Sequence, residues 1–230
     1  QTIHSGGFKC IIDGKTYRTD YERTVTNANP LPYIYCLRGS GPCRAWSQDV
    51  TLRIDWYDPR NGNITFCFEL VQLFDQLYSK QAKSPEEAKE LIRGAVFFVF
   101  FHEFGHALAH ELELPLTGKE EDAVDQFATL LLLEQGERGE KAVLAGAAFF
   151  LALGSQPNQP LAFWDEHSLD KQRFYNIACW LYGASPFRHV NLVAKGLLPE
   201  SRAARCGDEY QQLRRSWKTL ADPKLKRPLK

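Results

Sequence analysis

The chain predicts an α+β fold that is mainly helical, with a small antiparallel sheet near its N-terminus. Three observations carry this. Residues 50–70 hold two segments of alternating apolar and polar residues around an Asn-Gly pair. From Ser84 onward, apolar residues recur at helical spacing between caps and breakers. The most apolar run in the chain ends in His102-Glu103-Phe104-Gly105-His106, a polar cluster that packing alone does not call for.

The first fifty residues read as β-like and loop-rich. Val50, Leu52, Ile54 and Trp56 alternate with polar residues, and so do Ile64, Phe66, Phe68 and Leu70. Asn61-Gly62 between them is a hairpin signal. Strands over 50–57 and 64–70 thus share an apolar face, expected to rest on the back of the helix bearing the polar cluster. That helix is predicted over 85–113. Ser84 is its N-cap, Pro85 its first helical residue and Glu87 the return arm of a capping box. At 1.5 Å per residue it would span about 42 Å, so a break near Gly94 is expected. Pro115 closes it. A second helix, 119–134, starts with Thr117 and Glu120 in capping-box relation. Further helices are predicted over 140–153, 168–183, 186–195 and 208–221. The Pro-containing loop 154–160 leads into Phe163-Trp164-Asp165-Glu166-His167. Residues 1–230 read as one domain, β-rich over 1–80 and helical over 81–230, with the site in the helical part.

The formal net charge is zero, and no basic stripe with interleaved aromatics occurs. Nucleic acid is therefore excluded as a partner. The longest apolar stretch, 142–153, is too short to span a bilayer. The chain starts at Gln1 and contains no methionine, so it reads as a mature chain with its signal peptide removed. Six cysteines suggest the pairs Cys36–Cys43, Cys10–Cys67 and Cys179–Cys206, and with them a periplasmic or secreted protein. Nothing in the sequence specifies an oligomeric state.

His102 and His106 are i and i+4, so both imidazoles leave one helix face and can reach one zinc ion. Glu103 lies about 100° around the helix, within reach of a water on that metal. Catalytic zinc takes three protein ligands and keeps one position open. His110 lies about 12 Å along the axis from His102, too far to share the ion. The metzincin pattern needs Gly at 109 and His at 112, where the chain has Ala109 and Leu112. Across the turn, Glu121 and Asp125 share a helix face. One can ligate the metal while the other accepts a ligand histidine's second N–H. Glu120 and Asp122 are further candidates.

This Glu-x-x-x-Asp pattern resembles the second helix of thermolysin-like and related gluzincin peptidases. That resemblance implies a zincin-like fold, Glu121 as the third ligand and Asp125 as the residue that orients a ligand histidine. More broadly, the sequence resembles a bacterial group of zinc metallopeptidases with an HExxH active-site helix. The matching stretches are 64–70, 102–108, 120–128, 165–169 and 172–176, then Cys206, Glu209, Tyr210 and Trp217. The resemblance implies one Zn²⁺ per chain and hydrolysis of a peptide or protein substrate, with Glu103 as general base. A further donor should stabilise the oxyanion. His167 is the candidate, with Arg173 and Tyr175 behind it. The alternatives are a catalytically silent zinc-binding or regulatory protein, or a metal-dependent hydrolase of a non-peptide amide.

Overall fold

A computed structural model describes residues 2–12, 15–25, 34–37, 55–60, 62–157 and 161–225. The chain divides into two compact units, Gln1–Gln76 and Leu77–Lys230.

The first unit contains one sheet. Among the described residues its strands are β1 (Thr2–Ile12), β2 (Lys15–Val25), β3 (Ile34–Leu37), β4 (Asp55–Asp58) and β5 (Asn63–Cys67). They lie in the order β2-β1-β3-β5-β4. The expected hairpin is present: β4 and β5 pair antiparallel, with Asp58 opposite Asn63 and Trp56 opposite Thr65. The sheet as a whole is mixed rather than antiparallel. β3 runs parallel to both its neighbours, β1 and β5, neither of which a tight two-residue turn could join to it. The cysteine pairs Cys36–Cys43 and Cys10–Cys67 lie outside the residues whose side chains are described.

The predicted strand 64–70 ends at Cys67, where helix α1 (Phe68–Tyr78) begins. Leu70, Phe74 and Tyr78 follow one another at i, i+4 and i+8, and all three are buried. Helical periodicity therefore overrides the apparent alternation.

The second unit is a helical bundle. It consists of α2 (Pro85–Glu111), α3 (Glu120–Leu133), α4 (Glu137–Gly154), α5 (Asp170–Ala184), α6 (Val190–Ala194) and α7 (Glu200–Ala221), followed by a short 3-10 turn at Asp222–Lys224. α2 packs against α3 and α4, and α5 packs against α3, α4 and α7. Cys179 on α5 and Cys206 on α7 form a disulfide, one of the pairs expected from the sequence.

α2 starts as read. Ser84 Oγ accepts from the Glu87 backbone N–H at 3.1 Å, and Pro85 is the first helical residue. The expected break at Gly94 does not occur. A Cβ there would stand 3.0 Å from Ala142 Cα and 3.1 Å from the Ala145 Cβ, so this glycine admits α4 rather than bending α2. Among the described residues, α2 is the one helix long and apolar enough to cross a membrane by length and composition, which the apolar runs of the sequence did not suggest. Its buried residues include Gly94, Ala95, Phe98, His102 and Glu103, as expected of the central helix of a bundle.

Candidate metal centre

The site begins with the tight contact between α2 and α3. A Cβ on Gly105 would meet the Val124 side chain at 2.9 Å and Phe127 at 3.2 Å. Only glycine between Phe104 and His106 lets α3 approach this closely. The reversal between the helices is sharp. Glu113 takes a left-handed backbone conformation (φ 47°), and the Leu114 N–H reaches back to the Ala109 carbonyl at 2.9 Å. α3 then starts at Glu120, with Lys119 rather than Thr117 at the N-cap and no side-chain cap. With Lys119 at the N-cap, Glu120 is the first helical residue instead of the third and cannot be the return arm of a capping box; its carboxylate is engaged elsewhere, as described below.

His102 and His106 stand one turn apart on α2, with ring centroids 5.0 Å apart. Both Nε2 atoms face the Glu121 carboxylate. His102 Nε2 is 3.2 Å from Oε2, and His106 Nε2 is 3.5 Å from Oε1. The ligand atoms of His102, His106 and Glu121 all lie within 4.8 Å of one another. Glu103 is buried beside them, and its charge acts on His106.

Each imidazole is held from behind by a carboxylate. His102 Nδ1 is 2.8 Å from Asp125 Oδ1. His106 Nδ1 is 2.7 Å from Glu120 Oε1. The first of these is the partner expected from the sequence. The second was not foreseen, although a signal existed: every ligand imidazole needs an acceptor for its other ring nitrogen. For His106, one turn beyond His102 on α2, that acceptor had to come from the start of α3.

His167 lies on the segment before α5. Its Nε2 is 3.0 Å from Glu121 Oε2, and its Nδ1 is 2.9 Å from Asp165 Oδ1. It groups with Glu121 and Glu166 rather than with the two α2 histidines. Lys119 Nζ donates to the Asp165 carbonyl at 3.0 Å, and Ser168 Oγ donates to Asp122 Oδ2 at 3.0 Å. Asp122 thus ties the segment to α3. His110 is half-exposed beside Glu111. Tyr175 is partly exposed, with its ring edge-on to Phe174. Arg173 lies behind His102, where Asp125 holds it.

The electrostatics follow from this packing. Burial opposes a charge on His102, but the Asp125 and Glu121 carboxylates beside it outweigh burial and raise its pKa to about 9. His106 is raised in the same way, with Glu121 overcoming burial. Burial works against an ionised Asp125, yet Arg173 and His102 bring it down to about 2. Glu121 lies well below the usual carboxylate range, because the three surrounding imidazoles outweigh its burial.

These residues fit a divalent metal ion. Glu121 Oε2 is buried and makes no hydrogen bond, although two imidazole nitrogens stand within 3.2 Å of it. They approach as ion-pair partners, outside hydrogen-bond directions. A buried carboxylate oxygen left in this way is costly, and a cation between the three groups relieves it. Two imidazoles and one carboxylate are a donor set suited to a transition metal.

No curated protein and no solved structure matches the chain. Residues 47–221 match the family DUF4344, described as "Putative metallopeptidase". The match covers well over half of the sequence and includes every group described above, so the chain belongs to that metallopeptidase family.

Proposed function

We propose that the protein is a zinc-dependent peptidase in which His102, His106 and Glu121 hold one ion per chain and Glu103 is the general base. The observation that carries this reading is the convergence of those three side chains within 4.8 Å. Zinc in a His₂Glu set supplies Lewis acidity, lowering the pKa of a water and polarising a carbonyl. The chain's own groups do the rest. Asp125 and Glu120 each accept an Nδ1 proton, leaving the Nε2 lone pairs of His102 and His106 for the metal. Glu103 takes a proton from the attacking water and passes it to the leaving amine. His167, steadied through Nδ1 by Asp165, offers an Nε2–H to the carbonyl oxygen as that atom gains charge. The Cys179–Cys206 disulfide supports an oxidising compartment, the periplasm or the cell exterior.

The test combines metal analysis with cleavage of a mixed peptide library. The wild-type protein should carry about one zinc per chain and cleave peptides. His102→Ala or His106→Ala should lose both metal and activity. Glu103→Gln should keep the metal while losing about 10²–10⁴ in turnover. Full activity in Glu103→Gln would overturn the mechanism. Zinc without cleavage of any peptide would overturn the peptidase assignment.

A further inference from the structure

The Asp125 carboxylate is shared. Its Oδ1 takes His102 Nδ1 at 2.8 Å and Arg173 Nη2 at 2.8 Å, and its Oδ2 takes Arg173 Nε at 2.7 Å. Arg173 Nη2 also stands 3.5 Å from His102 Nδ1, so two donors crowd one oxygen. The guanidinium lies 3.9 Å over the Phe150 ring. That ring fixes its plane, and the fork in turn fixes the plane of the carboxylate. Asp125 is 2% exposed and the Arg173 side chain 10%. A buried ion pair of this kind gives little net stability, so its geometry needs another explanation.

The second α2 histidine supplies a contrast. His106 rests on Glu120, whose side chain is 53% exposed, and no cation bonds to Glu120 among the described contacts. One imidazole is thus held by a carboxylate that is itself clamped, the other by a carboxylate open to solvent.

We propose that Arg173 is a positioning residue of the metal centre. It clamps Asp125 so that the carboxylate fixes the orientation and tautomer of His102, and it thereby sets the affinity for the ion. This rests on the metal reading above. The geometry makes a specific demand: the two short hydrogen bonds of Arg173 go to Asp125, so its effect on the ion should run chiefly through that carboxylate. A lysine keeps the charge but cannot form the two-pronged contact.

The experiment is a double-mutant cycle on zinc affinity, measured by competition with a chromogenic chelator, with thermal midpoints taken with and without zinc. Arg173→Gln should weaken zinc binding by about 10–100-fold, the range for groups that orient ligands. Arg173→Lys should fall between it and the wild type, and it remains informative if the glutamine variant does not fold. In an Asp125→Asn background, replacing Arg173 should cause little additional loss. If Arg173→Lys and Arg173→Gln fold, melt at lower temperature and bind zinc like the wild type, Arg173 is merely structural and the proposal falls. Full, additive losses in the Asp125→Asn background would overturn the route through Asp125. A wild-type chain that takes up no zinc would overturn the metal reading itself, and this inference with it.

Discussion

On the α2–α3 side of the site, His102, Glu103 and Asp125 are almost sealed from solvent, and Arg173 is packed behind them. On the side formed by residues 161–168, His167 is one-third exposed, Asp165 is about half exposed, and Phe163 and Trp164 project into solvent. Both sides use an imidazole backed by a carboxylate, but only the first is buried. The difference separates two tasks. Holding an ion requires ligands that cannot rearrange. Meeting a substrate requires groups that remain accessible, on a segment fastened at a few points by Lys119 and Asp122.

The largest test of this division is His167→Ala. It should reduce turnover by about 10²–10³, the usual cost of one oxyanion donor, while zinc content and melting temperature stay at the wild-type level. Loss of zinc in this variant, measured by metal analysis after dialysis, would move His167 to the metal-holding side.

The comparison sharpens within the metal-holding side itself. Asp125→Asn should weaken zinc binding by about 10–100-fold. Glu120→Gln, which alters a carboxylate half exposed to solvent, should weaken it by less than about tenfold, because solvent screens its charge. Equal effects in a chelator competition would mean that burial of the supporting carboxylate does not matter.

The smallest expected effect is the dependence on pH. Without metal, the pKa of His102 is raised to about 9 from 6.5. Below that value a proton must leave before the imidazole can ligate, so zinc affinity should rise with pH, by up to about tenfold per unit for each proton displaced. The rise should flatten as pH approaches 9. In the metal-free chain the sign reverses. The raised pKa stabilises the fold fully below 6.5, and this contribution is lost as pH climbs toward 9. Calorimetry across that window should show the metal-free form losing stability as pH rises while the zinc-loaded form stays nearly flat, because a ligated imidazole has no proton to lose.

Where the sequence was legible, a local chemical signal marked the feature. Ser84 and Pro85 announced the start of α2, and the spacing of His102, His106, Glu121 and Asp125 announced the groups that α2 and α3 bring together. Where it was not legible, the governing contact was distant or masked. α1 was hidden because Ile64, Phe66, Phe68 and Leu70 satisfy a strand period before Phe74 and Tyr78 reveal a helical one. α7 begins at Glu200 rather than 208 because its first turns are polar. Arg202 there forks onto Glu209 through two 2.7 Å hydrogen bonds, a stabilising pattern without apolar periodicity. The role of Arg173 depends on a partner 48 positions away, which no spacing rule encodes. Glu120 stood in an acidic run where nothing local distinguished it from Glu121 or Asp122.

His-Glu-Phe-Gly-His is usually written with two wild cards, and the contact at Gly105 changes how much information the pattern carries here. Glycine is required by the close approach of α3, since a Cβ would stand 2.9 Å from the Val124 side chain. Phe104 stacks on Phe100 with centroids 6.3 Å apart and meets Phe127 at 6.2 Å, so that position too is occupied by packing. Neither unspecified letter is free in this protein. A chance occurrence of the motif would satisfy its chemistry and fail its sterics, and a search that weighs Phe104 and Gly105 alongside the polar residues should discriminate far better than one that ignores them.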